Sequence, residues 1–192
     1  MSDPSGLFAR AGLPEDLTFL LAKYPRLHWP EHRNLGALAR FWMGRHDMFR
    51  ELSAALGAAS EHHLAGAIDG ASFRAWFAPR FGFFLGELEG HHQIEDHHYF
   101  PVLCTAERRL ARGFDLLETD HDTIHRRLAE LDAAWRAFDA ALRRGEDARP
   151  AGETLSGMLT GFLAPLGRHL ADEEDLIVPV LLDRGESALG FA

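Results

Sequence analysis

Two segments of the chain repeat one pattern of residues. Residues 91–103 read HHQIEDHHYFPVL, and residues 169–181 read HLADEEDLIVPVL. In both segments Glu follows the first His by four residues, and Pro-Val-Leu begins ten residues after that His. Residues four apart lie on the same face of an α-helix. The repeat therefore predicts two similar helices, each presenting an imidazole and a carboxylate on one face.

Helical periodicity continues on either side of the repeat. From about Glu31 onward, apolar residues recur at steps of three and four, which is typical of amphipathic helices. The predicted helices span residues 31–58, 71–104, 106–143 and 152–183. Pro79 is expected to kink or break the second helix. Because short joints between long helices favour antiparallel neighbours, the sequence predicts an all-α fold, an antiparallel up-down-up-down four-helix bundle.

The chain divides into three parts by composition. Residues 1–30 contain several prolines and little periodicity, so we interpret them as an N-terminal extension with at most one short helix around Asp16–Lys23. Residues 31–184 form the predicted bundle, and residues 185–192 form a C-terminal tail. A length of 192 residues fits a single core. We expect the extension to contribute little to function.

Charge and cysteine content narrow the class of protein. The chain has 20 Lys and Arg residues against 29 Asp and Glu residues, a formal net charge of −9. This balance argues against nucleic acids and anionic membranes as partners. Cys104 is the single cysteine, the N-terminus lacks a secretory signal, and no apolar run is long enough to cross a membrane. These features predict a cytoplasmic protein.

Polar residues interrupt the apolar face of each predicted helix. The interruptions are His46 in the first helix, His91 and Glu95 in the second, His121 and His125 in the third, and His169 and Glu173 in the fourth. A buried polar group without a partner costs about 1–3 kcal/mol, so together these could cost on the order of 10–20 kcal/mol. That is comparable with the whole stability of a domain, about 5–15 kcal/mol. Some partner group must therefore satisfy them.

The residue types indicate which partner group this is. Neutral imidazoles and carboxylates bind iron, zinc, copper or manganese, whereas a soft-metal site would need more thiolates than Cys104 can supply. The set also contains more ligands than one ion normally takes. His92 and Asp96 have the same four-residue spacing as His91 and Glu95 but stand one position later in the sequence. We therefore interpret them as lying outside the seam, the line where the apolar faces of the helices meet.

As a set, these residues resemble the haemerythrin-like family of four-helix-bundle proteins. The resemblance covers roughly residues 38–183 and rests on His46, His91-x-x-x-Glu95, His121-x-x-x-His125 and His169-x-x-x-Glu173, with Phe100-Pro101 and Val178-Pro179 alongside. It implies two iron ions with a bridging oxo or hydroxo group, although other transition metals could bind. It further implies that Glu95 and Glu173 bridge the ions, and that His46 and His91 bind one of them. His121, His125 and His169 would bind the other.

The resemblance also implies a function. One coordination position stays open in such a centre and accepts dioxygen or another small diatomic ligand such as nitric oxide. The protein is then a metal- and oxygen-binding protein rather than an enzyme. Oxygen carriers of the family usually place Asp five residues after the last His, whereas here Glu173 stands at four and Glu174 at five.

The Glu-at-four form resembles the iron-sensing and iron-sulphur-repair branches of the family. Those branches often lack the His at the position of His125. The alternative function is therefore a stress-response protein that donates iron for cluster repair or turns over peroxide or nitric oxide.

Two other site types remain open from the residues. A ferritin-like site would use Glu95-x-x-His98 and Glu118-x-x-His121, whose spacing suits a two-metal carboxylate centre. Two observations argue against a ferritin-like site. The two pairs fall on consecutive helices, and the apolar face of the first helix has no Glu beside His46. In the second alternative the bundle holds no metal, and its polar seam only specifies the register of the helices.

Overall fold

A computed structural model describes residues 6–191, which are entirely helical apart from connecting turns and contain no β-strand. Residues 1–5 of the predicted extension and Ala192 of the predicted tail lie outside the described residues. The α-helices are α1 Phe19–Lys23, α2 Ala37–Leu64, α3 Gly70–Ile94, α4 Phe100–Ala106, α5 Ala111–Arg144 and α6 Arg149–Arg184. A π-helix, Glu95–Tyr99, joins α3 to α4, and 3-10 turns lie at Glu15–Leu17, Arg26–His28, Arg108–Leu110 and Ser187–Leu189. Within these residues no helix combines the length and apolar character that a bilayer crossing requires.

The all-α prediction is confirmed, and the boundaries differ from those expected. The first long helix begins at Ala37 rather than at residue 31. Helix α3 continues through Pro79 without a break. The predicted helix over 71–104 is instead divided by the π-helix at Glu95–Tyr99, a wider turn that often occurs at functional sites.

The chain forms two compact units. Among the described residues, unit 1 comprises residues 6–47, 91–122 and 167–191, and unit 2 comprises residues 48–90 and 123–166. Helices α2, α3, α5 and α6 each contribute a segment to both units. Neither unit is therefore continuous in sequence.

The N-terminal segment, residues 6–30, is part of the core of unit 1. Leu17, Leu20 and Trp29 are buried in one cluster with Phe114 and Leu176. The Trp29 indole Nε1 donates a hydrogen bond to the Tyr24 carbonyl at 2.7 Å. The short helix expected around Asp16–Lys23 is present as a 3-10 turn followed by α1. Burial of these side chains ties the segment to the helices of unit 1.

The residues after α6 also pack within unit 1. Gly185, in the left-handed conformation with φ +81°, ends α6. Glu186 then accepts hydrogen bonds from the backbone N–H groups of Leu38 and Ala39 at 3.2 and 2.8 Å. This carboxylate caps the N-terminus of α2. A side chain at Gly36 would place Cβ 2.1 Å from the Glu186 carboxylate, so this carboxylate would have to move away from the cap.

Unit 2 has an aromatic core. Phe77 packs against Phe73 and Trp135, with ring centroids 4.8 Å apart in both pairs, and Phe84 meets Phe162 edge to face. All of these rings except that of Trp135 are almost fully buried. Asp69 precedes α3 and accepts the backbone N–H of Ser72, an N-terminal cap.

Candidate metal centre

Buried His and Glu side chains converge inside unit 1. Helix α2 contributes His46, the end of α3 contributes His91 and His92, and the π-helix begins with Glu95. Helix α5 contributes His121, and α6 contributes His169 and Glu173. All of these residues are buried: His91 is 8% exposed and the others at most 1%. Among the described residues, their side chains form two groups with metal-ligand spacing.

The first group contains His46, His91, Glu95 and Glu173, whose ligand atoms lie within 4.8 Å of one another. The Nε2 atoms of His46 and His91 are 3.0 Å apart. His91 Nε2 lies 3.2 Å from Glu95 Oε1, and His46 Nε2 lies 3.3 Å from Glu173 Oε2. Two imidazole nitrogens and two carboxylate oxygens therefore face a common point.

The second group contains His92, His121 and His169. The rings of His92 and His121 are stacked, with centroids 4.0 Å apart and an interplanar angle of 7°. Nε2 of His121 and Nε2 of His169 lie 3.0 and 3.1 Å from Glu173 Oε1. The second group thus meets the same glutamate as the first, but at its other oxygen.

The two glutamates each divide their oxygens between the groups. Glu173 presents Oε2 to His46 and Oε1 to His121 and His169. Glu95 presents Oε1 to His91, and its Oε2 is 3.7 Å from His121 Nε2. Both carboxylates therefore lie between two sets of imidazoles, the position of a bridging ligand.

The burial of His92 corrects the interpretation from the sequence. His92 was placed outside the seam, but it is fully buried, and Asp96 accepts a hydrogen bond from His121 Nδ1 at 2.7 Å. The error came from assuming a narrow seam with a constant helical period. Adjacent residues are about 100° apart on a helix, and the buried face at this level includes both His91 and His92. The π-helix after Ile94 further changes which residues face inward.

His125 is in neither group. It is half-buried and lines a surface groove in unit 2 with Glu89 and Asp132, whereas both groups belong to unit 1. The predicted ligand set and the two groups therefore differ at one histidine, with His92 where the sequence suggested His125. The ferritin-like pairs are not assembled, because His98 and Glu118 are exposed.

Carboxylates outside the two groups orient three of the imidazoles. The Nδ1 atoms of His46, His121 and His169 contact Glu174, Asp96 and Asp120 at 3.1, 2.7 and 3.3 Å. A carboxylate accepts the Nδ1 proton and fixes the ring, so that Nε2 faces the glutamates. These three acids could have been found from the sequence, because each is the direct neighbour of a residue in the two groups. The adjacent pairs are Asp120-His121, Glu95-Asp96 and Glu173-Glu174.

Burial and neighbouring charges shift the pKa values of the centre in opposite directions. Burial lowers the pKa of His91 to about 3. Although burial alone would lower it, the charges of Glu173 and Asp120 raise the pKa of His169 to about 9. Burial and the charge of Glu173 raise the pKa of Glu95 well above its usual range. The charge of Glu173 therefore favours the protonated form of His169.

The residues fit a pair of metal cations. Oxygen Oε2 of Glu95, Oε2 of Glu173 and Nε2 of His169 are buried without a protein hydrogen bond. Neighbouring ligand atoms 3.0–3.3 Å apart match the edge of an octahedron with metal–ligand bonds of about 2.1 Å, which is about 3 Å. Imidazole and carboxylate donors with no thiolate suit a first-row transition metal. Cations at these positions would satisfy the buried donor atoms.

The fold and the site define a helical protein with a buried histidine and carboxylate centre for cations. The chain belongs to the hemerythrin family, because the model of the Hemerythrin HHE cation binding domain matches residues 37–181. The match includes both groups of ligand-type residues. Searches of curated proteins and of solved structures found no match to the chain. The resemblance inferred from the sequence is confirmed at the level of the family.

Proposed function

We propose that this chain is a non-haem di-iron protein that binds or senses dioxygen, or nitric oxide, within an antiparallel four-helix bundle. His46 and His91 would hold one iron, and His92, His121 and His169 would hold the other. Glu95 and Glu173 would bridge the two irons, with an oxo or hydroxo bridge between them. His92 takes the place that the sequence suggested for His125.

The observation that carries this proposal is the division of the Glu173 carboxylate. One oxygen lies 3.3 Å from His46 Nε2, and the other lies 3.0 and 3.1 Å from the Nε2 atoms of His121 and His169. A site for a single ion would not need two oxygens of one carboxylate directed to separate imidazoles. The arrangement supports two cations that share a carboxylate.

The choice of iron rests on the family and on the donor set. Imidazole and carboxylate ligands together suit iron, manganese or zinc. When bound, an iron pair supplies reversible electron transfer and one coordination position for a small ligand. Zinc has no redox chemistry and would not serve this function.

The protein residues around the pair hold the ligands and keep water out. Trp42 Nε1 donates a hydrogen bond to Glu95 Oε1 at 2.5 Å, which fixes the orientation of this carboxylate. Phe100 stacks over the His121 ring, with centroids 5.5 Å apart, and is almost fully buried. A dry surrounding strengthens each electrostatic interaction within the centre.

A small apolar pocket lies in unit 1. Its volume is about 10 Å³, close to the space that one water molecule needs. The pocket is lined by Leu38, Trp42, Tyr99, Leu103, Ile177, Leu181 and Phe191. Trp42 also contacts Glu95, so the pocket wall and the centre share a residue.

The second candidate function is iron donation for cluster repair, or turnover of peroxide or nitric oxide. The spacing of His169 and Glu173 favours it, because Glu at the fourth position resembles the repair and iron-sensing branches. This function needs an iron pair that is released or oxidised during use, whereas an oxygen-binding protein must return to its starting state.

An oxygenation experiment tests the proposal. Protein loaded with ferrous iron under nitrogen should contain about two irons per chain and should change its visible spectrum when oxygen is admitted. The change should reverse when oxygen is removed, as expected of a binding protein. Rapid and irreversible oxidation would favour the second candidate, and failure to retain iron would contradict both.

A further inference from the structure

A buried arginine of the N-terminal segment reaches the acids beside the metal centre. Arg10 donates from Nη1 to Asp120 Oδ1 at 2.7 Å and from Nη2 to Asp120 Oδ2, a two-pronged contact. It also donates from Nε to Asp172 Oδ2 at 2.9 Å. The arginine side chain is 5% exposed. Asp120 in turn accepts from His169 Nδ1, so Arg10 connects to a histidine of the second group.

A second arginine of the same segment makes an equivalent connection to the first group. Arg26 Nη1 donates to Glu174 Oε2 at 2.6 Å, and the other oxygen of Glu174 accepts from His46 Nδ1 at 3.1 Å. Arg26 also donates to Asp175 and to the Ala171 carbonyl on α6. Both connections therefore run from arginine through carboxylate to imidazole.

We infer that the N-terminal segment is a clamp on the metal centre, in which Arg10 and Arg26 are positioning residues. Arg10 orients His169 through Asp120, and Arg26 orients His46 through Glu174. This inference rests on the proposed function for its metal. It assigns a role to a segment that the family match, residues 37–181, does not include.

The chemistry of arginine suits this role. Its planar guanidinium holds several N–H donors in fixed directions. Arg10 binds Asp120 through two parallel hydrogen bonds, and Arg26 binds Glu174 and Asp175 at the same time, which fixes the carboxylates in direction as well as position. A carboxylate fixed in this way holds the Nδ1–H of an imidazole, and therefore directs Nε2 toward the metal. Buried side chains anchor the segment in the core of unit 1. Leu17 and Leu20 lie between the two arginines in the sequence, and Trp29 follows Arg26. Displacement of the segment would release one histidine in each group.

The test compares substitutions of charged residues within the segment. Arg10→Gln removes the first connection and Arg26→Gln the second, while Arg10→Lys and Arg26→Lys keep the charge without the planar set of guanidinium donors. Lys23→Gln is the matched control, because Lys23 pairs with Asp183 on α6 at 2.6 Å and contacts no acid that holds a histidine. Arg26 is 43% exposed, so its variants are expected to fold even if those of buried Arg10 are not.

Two readouts are measured on the full chain. In the metal-free protein, nitrogen NMR should show that Arg10→Gln alters the Nδ1–H signal of His169 and that Arg26→Gln alters that of His46, each without the other. In the iron-loaded protein, a chelator should remove iron about 10-fold or more faster from both variants, with intermediate rates for the lysine variants. Lys23→Gln should match the wild type in both readouts.

The outcomes separate this inference from the proposed function. Unchanged imidazole signals in Arg26→Gln would overturn the clamp, and so would an equal acceleration of iron loss in Lys23→Gln, since simple anchoring would then explain the effect. If the wild-type protein retains no iron, the proposed function fails. The NMR signals of the metal-free protein still decide whether the arginines position the imidazoles.

Discussion

Unit 1 and unit 2 are built from segments of the same long helices, but their interiors differ. The interior of unit 2 contains aromatic rings such as Phe73, Phe77 and Trp135, which pack against one another and need no polar partner. The interior of unit 1 contains imidazoles and carboxylates, and the buried Oε2 atoms of Glu95 and Glu173 have no protein hydrogen bond. One helix can therefore supply stability along one part of its length and a site along another.

The two interiors also contribute differently to the free energy of folding. The aromatic side chains of unit 2 are buried in the folded protein without any bound ligand. The centre in unit 1 combines partly unsatisfied carboxylates with imidazoles, and their burial costs free energy that bound cations would offset. Substitutions in unit 2 should thus change the free energy of unfolding, whereas substitutions in the centre should change metal content first.

Glu173→Ala should have the largest effect on metal content. Because this carboxylate faces both groups of imidazoles, its loss should remove more than half of the iron, measured as iron per chain by elemental analysis. Glu153→Ala, an exposed position on the same helix, is the control and should keep full iron content. Iron content equal to the wild type in Glu173→Ala would contradict the bridging role.

Phe77→Ala should have the largest effect on stability. Phe77 is fully buried among other rings, and truncation of such a residue typically costs about 3–5 kcal/mol. Chemical denaturation of the metal-free protein measures this change. The iron content of the fraction that remains folded should stay at the wild-type level. Loss of iron from folded Phe77→Ala protein would show that the aromatic core also controls the centre.

Metal removal should destabilise the protein through unit 1. Ligands that bind only the folded state stabilise it in proportion to the logarithm of their concentration relative to Kd, about 4 kcal/mol at 1,000 times Kd. The melting temperature should therefore fall when iron is removed by a chelator and recover when ferrous iron is added back. Glu173→Ala should show little of this response, and a full response in that variant would contradict the account.

His92→Phe and His125→Phe form a matched pair that distinguishes the two histidines. Phe keeps a ring that can stack on His121 but offers no ligand nitrogen. His92→Phe should lower iron content by about one ion per chain, while His125→Phe should retain it, because His125 lies in a surface groove with Glu89 and Asp132. The opposite result would restore the ligand set suggested by the sequence.

Asp69→Ala should have the smallest effect and should be confined to stability. The hydrogen bonds from Ser72 hold the pKa of Asp69 below its usual value. A carboxylate with a lowered pKa stabilises the fold above its unfolded pKa of about 3.9 and loses that contribution as pH falls through the lower value. The melting temperature of Asp69→Ala should be slightly lower at pH 7, and the difference should shrink below about pH 4. Iron content should not change.

Periodicity in the sequence was sufficient to predict the long helices and six of the seven residues of the two groups. Each of His46, His91, Glu95, His121, His169 and Glu173 interrupts an apolar stripe, and the structure places all of them in or beside the two groups. Their role as metal ligands stays a prediction. Residues four apart lie on the same face of a helix, so their spacing was enough to predict which polar residues face inward together.

Local irregularity limited the rest of the prediction. The π-helix at Glu95–Tyr99 follows no hydrophobic period, and the burial of His92 beside His91 broadens the inward face beyond a single stripe. His125 continues the period of α5 but falls in unit 2, away from the groups. The contacts of Arg10 and Arg26 join residues more than 100 positions apart in sequence, and no helical period encodes them.

Two metal ions that share Glu173 in unit 1 are the core of the proposed function. X-ray absorption spectroscopy of the iron-loaded protein, with the iron content measured on the same sample, can detect such a pair. We expect about two irons per chain, nitrogen and oxygen neighbours only, and a metal–metal scattering contribution that disappears in Glu173→Ala. One iron per chain, or two irons without a metal–metal contribution in the wild-type protein, would contradict it.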